Sequence, residues 1–544
     1  MEEKIRKALG EDAVIRRPPN PDFGDYAIFV GPEKAESAVQ AIRSELGDTA
    51  SKIEVAGNGF VNITLSREAV ALVVAEADAK GSEWGRPASS YQPPASRVMI
   101  EYSNPNAFKE MHIGHLVGTV VGEALSRLIE NSGVKVVRDT FGGDIGPNVA
   151  KAIWGLKKKN INEPTTAQEI GEAYTEGSNA YESDPKAKPS FAQGYGGARE
   201  EIDALSQAIY AGTDKELMEL WRNGRDISME EFRRIWKLLG THFDFEFFDS
   251  DTTETGLRVV RDGLDRGIFK ESDGAVIYDG EGKGVHTMVF ITSHNTPTYE
   301  AKDVGLAFLK EERWPSDKVI VVTGNEQTGR FKTVLSALAE LAPKLAEKTT
   351  HVATGFLKLA SGKMSSREGN VITASDFIQS VIKKASEKNE DPIIAEQVAI
   401  GAIKYMILRQ APGSDIIFDE EKSLSLEGDS GPYLQYALVR AKSVVAKARS
   451  TKHEASNNSP ENLYQLERLI IHFPEVTARA ARELAPNLLV NYLTELAGEW
   501  NSFYAKEKIV GSENETHKLL IAHAFVSTMA NGLTLLGIPA PEKM

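Results

Sequence analysis

The sequence predicts an α/β protein built around a doubly wound parallel sheet, with a small α+β unit before it and an all-helical region after it. From Arg97 to about Asp376, buried strand-like runs alternate with amphipathic helices, an order typical of parallel sheets. A polar, helix-rich insertion interrupts this alternation at residues 151 to about 255. We therefore expect domains at residues 1–90, 97–396 and 397–544.

Short patterns indicate the elements of the first unit. A helical pattern at Ala35–Leu46 precedes strand-like runs at Lys52–Ala56 and Phe60–Leu65. A linker rich in Ser and Pro, Ala88–Ser96, separates this unit from the sheet.

Three apolar runs predict strands of the parallel sheet: Val98–Ile100, Val134–Arg138 and Lys318–Thr323. Within the insertion, Lys157–Lys159 and Asp184–Pro189 are typical of loops. Beyond residue 397, apolar residues recur with helical spacing to the end of the sequence.

The composition is that of a globular protein without disulfide chemistry. The 544 residues, 41% of them hydrophobic, can form three or four domains. No apolar run is long enough to span a membrane and Met1–Arg6 has no signal-peptide pattern, so we expect a cytoplasmic protein. Zero cysteines exclude disulfides and thiolate zinc sites, and no zinc is expected.

The net charge of −15 is unusual for a protein that binds nucleic acid, but charge can be distributed locally. Between Gly431 and Arg482, eight basic residues oppose four acidic ones, a local charge of +4. This segment could contact RNA, although a solvated helix face would carry similar charges.

The most informative segment is residues 101–115, EYSNPNAFKEMHIGH, where a strand, a tight turn and a helix start follow one another. This order places His112 and His115 at the carboxyl edge of a parallel sheet, where backbone N–H groups and the helix dipole favour a polyphosphate. Gly114 lets a flat ring approach the backbone because it has no Cβ. The imidazoles could instead be a metal pair or surface histidines, and a Gly-x-Gly-x-x-Gly turn is absent.

A second segment favours the phosphate interpretation. Residues 361–370, SGKMSSREGN, form a Gly- and Ser-rich loop, expected to be mobile, that carries Lys363 and Arg367. Two cations on such a loop can bind a pyrophosphate leaving group. Alone the loop could be an exposed turn, but its combination with the histidine turn favours a catalytic role.

The two segments and five further motifs resemble one family over nearly the whole chain. The further motifs are NPDFGDY at 20–26, GNGFVNI at 57–63, GDIG at 143–146, TYEAKD at 298–303 and GPYLQYA at 431–437. In order and spacing, the set resembles the class I aminoacyl-tRNA synthetases, and among them the arginyl-tRNA synthetase family.

The resemblance implies an activity and an architecture. Members of this family join L-arginine to the 3′ end of tRNA-Arg through an arginyl-adenylate, with ATP as its Mg²⁺ complex, and activation generally requires bound tRNA. It also implies a Rossmann-like catalytic domain, an amino-terminal domain that touches the outer corner of the tRNA, a helical anticodon-binding domain and a monomer.

The resemblance also implies which residues bind ATP: His112, His115, Gly114, Lys363, Ser365 and Ser366. Where the family pattern Lys-Met-Ser-Lys-Ser has a second lysine, this chain has Ser366. Family members without that lysine typically carry one just upstream of the first histidine, and Lys109 stands there. We expect Lys109 to supply the missing charge and to be catalytic with His112, His115 and Lys363, although it could be a surface lysine.

Arginine recognition requires acceptors that match a planar, permanently charged guanidinium. Tyr299 and Asp303 lie four apart on a probable helix, so they share a face and, by resemblance, meet the guanidinium. The resemblance adds Glu101 as a further carboxylate. It assigns the α-amino and α-carboxylate groups to Asn106 and Gln327, helped by Ser103.

Several alternatives and departures remain open. Asp303 could be a surface acid, Glu101 could pair with Lys109, and Asp144 could stabilise a turn or contact substrate. The family often has a histidine where this chain has Arg330, and Asn295-Thr-Pro replaces the usual Asp-Gly before Tyr299.

At the carboxyl end, Tyr433, Gln435 and Tyr436 match the family motif and could stack on anticodon bases, or pack in the core. Two other functions are less consistent with the sequence. A small-molecule nucleotidyl transferase would need neither flanking domain, and a non-catalytic relative would be expected to lose a signature histidine or Lys363.

Overall fold

A computed structural model describes residues 1–10, 12–86, 95–183, 197–360, 372–450 and 463–544. The chain divides into two compact units. The first comprises Met1–Tyr91, Leu424–Glu483 and Leu488–Met544, and the second comprises Gln92–Ser423 and Leu484–Asn487. Within the described ranges, no helix has the length and apolar character needed to cross a membrane.

The amino-terminal part is a small α+β structure. Its elements are α1 (Glu2–Leu9), β1 (Ile15–Arg16), β2 (Tyr26–Phe29), α2 (Ala35–Leu46), β3 (Ala50–Ala56), β4 (Phe60–Leu65) and α3 (Arg67–Lys80). The strands form an antiparallel sheet in the order β1-β2-β4-β3. The sequence patterns located α2 and β4 at these bounds, and β3 begins two residues earlier than its pattern.

The second unit contains the parallel sheet. Its first elements are β5 (Arg97–Glu101), α4 (Ile113–Asn131), β6 (Lys135–Gly142), then α5 (Pro147–Lys158), α6 (Ala167–Ser183), α7 (Ala198–Ala211) and α8 (Lys215–Leu238). They are followed by β7 (Phe245–Phe248), α9 (Asp249–Asp265), β8 (Lys270–Ser272), β9 (Ala275–Tyr278), β10 (Met288–Ile291) and α10 (Tyr299–Arg313). The last are β11 (Lys318–Gly324), α11 (Thr328–Leu341), α12 (Pro343–Glu347), β12 (Thr349–Thr354), β13 (Leu357–Leu359), α13 (Ala374–Ser386), α14 (Pro392–Leu408), β14 (Ile416–Phe418) and α15 (Glu420–Ser423).

The sheet is doubly wound, as predicted. Five parallel strands run in the order β12-β11-β5-β6-β7. The chain moves from β5 towards one edge and later returns to add β11 on the other side. The connections that follow β5 and β11 therefore run towards opposite edges of the sheet. This divergence opens a crevice at the carboxyl ends of these two strands.

The insertion differs in detail from the prediction. Lys157 and Lys158 belong to the last turn of α5 and Lys159 caps it, so the loop predicted there is wrong. The apolar face of α5 is buried, and basic side chains suit the carboxyl end of a helix dipole. The sheet resumes at β7, inside the range given to the insertion, and residues 184–189 lie outside the described residues.

The carboxyl-terminal helices are α16 (Gly431–Ser450), α17 (Gln465–Ile470), α18 (Phe473–Arg482), α19 (Pro486–Lys506) and α20 (Glu515–Leu535). Helix α14 spans the expected boundary at residue 397 and belongs to the unit that contains the parallel sheet. It is buried from Val398 to Leu408, which holds it in that core. The amino-terminal sheet and the carboxyl-terminal helices share a unit, with Tyr26 Oη donating to Glu475 Oε1 at 2.8 Å.

Candidate active site

Two histidines cap the helix that begins at the carboxyl end of the first parallel strand. His112 is the N-cap of α4, and its Nδ1 accepts the Gly114 N–H at 3.1 Å. His115 Nδ1 accepts the His112 N–H at 3.3 Å, and the two rings stack with centroids 3.8 Å apart. Because each Nδ1 accepts, Nε2 carries the proton of each neutral ring and can donate. The turn therefore presents two imidazole donors beside a helix amino terminus.

The surroundings of these rings favour their neutral forms. Burial and the charge of Lys109 lower the pKa of His112. The pKa of His115 lies well below 6.5 because of burial, with His112 and Lys109 contributing. A Cβ on Gly114 would lie 2.9 Å from His112 Cε1, so glycine here makes room for the histidine ring itself. Within the described ranges, no cluster of three or more His, Cys, Asp or Glu side chains could hold a metal ion.

The residues that follow the second signature segment are bonded to the histidine turn. Thr373 forms an antiparallel bridge with His112, and the Ala374 N–H donates to the Met111 carbonyl at 2.6 Å. Thr373 and Ala374 therefore lie beside the histidine turn. Lys363, Ser365 and Ser366 themselves lie outside the described residues.

Lys109 is held by the insertion. Its Nζ lies 4.3 Å from the centroid of the Tyr174 ring, a cation–π contact with helix α6. Tyr174 Oη donates to Asn148 Oδ1 at 3.4 Å, and Asn148 Nδ2 donates to Tyr299 Oη at 3.3 Å. A chain of contacts through the insertion thus joins Lys109 to Tyr299.

Glu101 does not pair with Lys109 but belongs to a buried ionic cluster. Its Oε2 accepts from Lys310 Nζ at 2.5 Å and its Oε1 from Asn104 Nδ2 at 2.7 Å. Lys310 also contacts Asp139 Oδ2 at 2.7 Å. Burial alone would lower the pKa of Lys310, but the charges of Asp139 and Glu101 raise it. Because both oxygens of Glu101 are bonded, the geometry favours an electrostatic role for it over direct substrate contact.

Asp303 and Gln327 converge on one side chain. Asp303 on α10 forms an ion pair through Oδ2 with Arg330 Nη1, and Gln327 Oε1 accepts from Arg330 Nε at 2.8 Å. Tyr299, four residues before Asp303, is 50% exposed, and its hydroxyl accepts from Asn148 Nδ2 at 3.3 Å. Asp303 is therefore not a solvated helix acid, and it shares Arg330 as a partner with Gln327.

Two other predicted residues have contrasting surroundings. Asn106 Oδ1 accepts the Gly143 N–H at 3.0 Å, which leaves its amide Nδ2 without a partner among the described residues. Ser103 is buried, and its hydroxyl accepts from Trp236 Nε1 and Thr119 Oγ1, both at 2.9 Å. Asn106 can donate to a ligand, whereas the hydroxyl of Ser103 faces the interior.

Asp144 is buried and fully bonded. It accepts from the Ser250 N–H at 2.9 Å, from Ser250 Oγ at 2.7 Å and from Arg225 Nη1 at 3.3 Å. Of the two roles left open for Asp144, this geometry favours the structural one.

The predicted tRNA contacts lie on α16. Tyr433 and Tyr436 are half-buried, and the Arg440 guanidinium lies 5.4 Å from the centroid of the Tyr436 ring. Gln435 is fully buried, and its Nε2 donates to the Pro539 carbonyl at 2.8 Å. The structure therefore leaves the two tyrosines accessible and places Gln435 in the core.

The sequence patterns did not identify three residues that contact the predicted site residues: Lys310, Tyr174 and Asn148. Lys310 carried a usable signal, because it lies seven residues after Asp303 on the same helix face, and a lysine on a buried face needs a carboxylate partner. Tyr174 and Asn148 carried none, since only the packing of the insertion brings them to the site.

Family models match two parts of the chain. Residues 87–420 match the catalytic domain described as tRNA synthetases class I (R), and residues 434–544 match the DALR anticodon binding domain.

Relatives match over the full length. The chain is 30% identical to an arginine–tRNA ligase of Treponema denticola over 100% of this chain and 96% of that protein. The same identity holds for the Clostridioides difficile arginine–tRNA ligase, over 100% of this chain and 98% of that protein. The solved arginyl-tRNA synthetase of Thermus thermophilus has a similar fold, with a TM-score of 0.80, 24% identity and coverage of 100% of this chain and 99% of that chain.

Proposed function

This chain belongs to the class I arginyl-tRNA synthetases, and we propose how its residues divide the work of the reaction. It activates L-arginine with ATP and charges tRNA-Arg, through an arginyl-adenylate and with release of AMP and pyrophosphate. The observation that carries the residue assignment is the meeting of two kinds of group at one crevice. Neutral imidazole donors follow β5, and acceptors suited to a guanidinium lie on α10, next to β11.

The ATP side works by charge stabilisation. The carboxylate of arginine attacks the α-phosphorus in line, and negative charge builds on the phosphate oxygens and on the leaving pyrophosphate. The Nε2–H groups of His112 and His115 donate to those oxygens, and the amino terminus of α4 adds its dipole. Lys109 adds the charge that Ser366 does not supply, and Lys363, Ser365 and Ser366 bind the phosphates from the loop.

The arginine side works by matched hydrogen bonding. Asp303 and Tyr299 accept hydrogen bonds from the guanidinium. The ion pair of Glu101 and Lys310 contributes to the electrostatic potential at this site. The amide Nδ2 of Asn106 and the Nε2 of Gln327 donate to the α-carboxylate, because the oxygens of both amides are already bonded. Ser103 supports this wall of the pocket from the interior.

Helix α16 carries the proposed contacts with tRNA. Tyr433 and Tyr436 contact the anticodon loop of the tRNA, and the buried Gln435 supports that helix. Magnesium arrives with ATP as its complex. The protein works as a monomer in the cytoplasm, where its tRNA substrate is used.

The direct test is a charging assay. The purified chain is incubated with ATP, Mg²⁺, the twenty amino acids and total tRNA, and the amino acid esterified to tRNA is identified. Arginine alone is expected. Another amino acid, or none, would contradict the proposal.

Replacing Tyr174 by leucine is expected to reduce ATP–pyrophosphate exchange because it removes the ring that holds Lys109 over the site. A desolvated cation–π contact is worth about 2 kcal/mol at most, so the decrease should be about 10-fold. Tyr174→Phe keeps the ring and serves as the matched control. If Lys109 acts through this contact, Lys109→Ala and Tyr174→Leu together should lower the rate no further than Lys109→Ala alone. Additive losses would show that Tyr174 acts separately from Lys109.

Arginine binding is expected to weaken as the pH falls through 6. Burial raises the pKa of Asp303 to about 6, although Arg330 opposes this shift and Glu101 adds to it. Only the ionised carboxylate accepts a full guanidinium bond, so affinity should be about tenfold lower at pH 5 than at pH 7.5. Calorimetric titration with L-arginine across this range measures the effect. Asp303→Asn should lack this pH step, and a flat profile for the unaltered protein would contradict the assignment.

A further inference from the structure

The guanidinium site already contains a guanidinium. Arg330 donates from Nε to Gln327 Oε1 at 2.8 Å and from Nη1 to Asp303 Oδ2. The proposed function gives both side chains to substrate arginine, Asp303 to its guanidinium and Gln327 to its α-carboxylate. The inference below rests on that proposed function.

The charges around Arg330 are those that would surround a bound arginine. Burial alone would lower the pKa of Arg330, but Asp303, Glu300 and Glu101 raise it through their charges. Burial raises the pKa of Asp249, and the charges of Lys302 and Arg330 oppose that shift. Asp249 is bonded to Lys302 and Glu101 to Lys310, so Asp303 and Glu300 are the carboxylates left for a further cation.

Glu300 is a second place for the Arg330 side chain to bind. It is 9% exposed and has no hydrogen bond or ion pair among the described residues. It lies three residues before Asp303 on α10, which makes the two carboxylates neighbours on the helix surface. A nearly buried carboxylate without a partner is costly, so a cation that reaches it is stabilised there.

We propose that Arg330 is an internal competitor of substrate arginine: it closes the acceptor on Asp303 in the free protein and moves to Glu300 when arginine binds. In the free protein, Arg330 keeps Asp303 from being a buried charge without a partner. On binding, the incoming guanidinium takes over Asp303 while Arg330 takes Glu300. Each carboxylate then has one cation.

This exchange predicts how affinity depends on Arg330. A site that is open only part of the time binds with an affinity reduced by the open fraction. Arg330→Gln removes the competing charge and keeps an amide beside Gln327. Because the ion pair is partly exposed, we expect L-arginine to bind about fivefold more tightly to this variant.

The experiment is equilibrium calorimetry with L-arginine on the full chain, without ATP. Arg330→Gln is the first variant, and Arg330→Lys, which keeps the charge but loses the fork of donors, is the second. Lys332→Gln is the matched control, because it removes an exposed cation from the same helix. Tighter binding by Arg330→Gln, with Lys332→Gln unchanged, supports the proposal. Unchanged binding by Arg330→Gln overturns it. Weaker binding also overturns it and makes Arg330 a positioning residue of Asp303.

A second set of variants tests the exchange itself. Glu300→Gln should weaken arginine binding more in the presence of Arg330 than in the Arg330→Gln background, because only Arg330 needs Glu300 as a destination. Equal effects in the two backgrounds would overturn the movement to Glu300. Asp303→Asn separates this outcome from failure of the proposed function: if Asp303→Asn binds arginine like the unaltered protein, Asp303 is not the acceptor, whatever Arg330 does.

Discussion

Replacing His115 by alanine is expected to lower arginine-dependent ATP–pyrophosphate exchange, measured with tRNA present, by about 10²–10³-fold. The side chain has two functions that alanine lacks. In the proposed mechanism its Nε2–H donates to a phosphate oxygen as charge develops there. In the structure its Nδ1 accepts the N–H of His112. The second contact also fixes the ring of the neighbouring histidine, since the two rings stack.

Measuring the free energy of unfolding together with the exchange rate separates the two contributions of His115. Loss of a capping contact alone costs about 1 kcal/mol of unfolding free energy and leaves the chemistry to His112. His294→Ala is the control, because His294 is an exposed histidine of the same unit. An exchange rate within threefold of the unaltered protein would remove His115 from the catalytic residues.

Replacing Asp303 by asparagine is expected to lower kcat/KM for arginine by about 10²–10³-fold, mainly through KM. The amide keeps the shape of the side chain, but it loses the charge and one of the two acceptors that a guanidinium fork requires. Arg330 would lose its ion-pair partner as well, so part of the cost falls on the free protein.

Glu312→Gln provides the matched control for Asp303, because it removes an exposed acid from the same helix. Arginine activation by this control should match that of the unaltered protein. If Asp303→Asn and Glu312→Gln have the same small effect, the guanidinium acceptor lies elsewhere. A lowered kcat with an unchanged KM would also contradict the assignment, because it would place Asp303 on the chemical step.

Local sequence patterns were sufficient for the framework of the catalytic unit. The apolar runs at β5 and β11 and the helical spacing after His115 located the crevice, because strand and helix periodicities are properties of neighbouring residues. The capping geometry of His112 and His115 is also local, since the two residues are only three apart.

In two places burial in the core, and not the local sequence pattern, determined the structure. Three consecutive lysines at 157–159 have the composition of a loop, yet the apolar face of α5 keeps the first two helical. The expected boundary at residue 397 falls inside α14, because apolar residues on all sides of that helix are buried with the sheet. In both cases the surrounding core decides.

The sequence by itself determined the class of fold, the strand–turn–helix with its histidines, and which charged side chains have to find partners. Only the tertiary structure decided which residues those partners are. Lys310 forms an ion pair with Glu101, 209 positions away in the sequence, and Arg330 with Asp303, 27 positions away. Local spacing is set by the covalent chain, and so it can be read from neighbouring residues. A buried charge instead pairs with whichever opposite charge the fold brings within reach, and that depends on where distant strands and helices end in space.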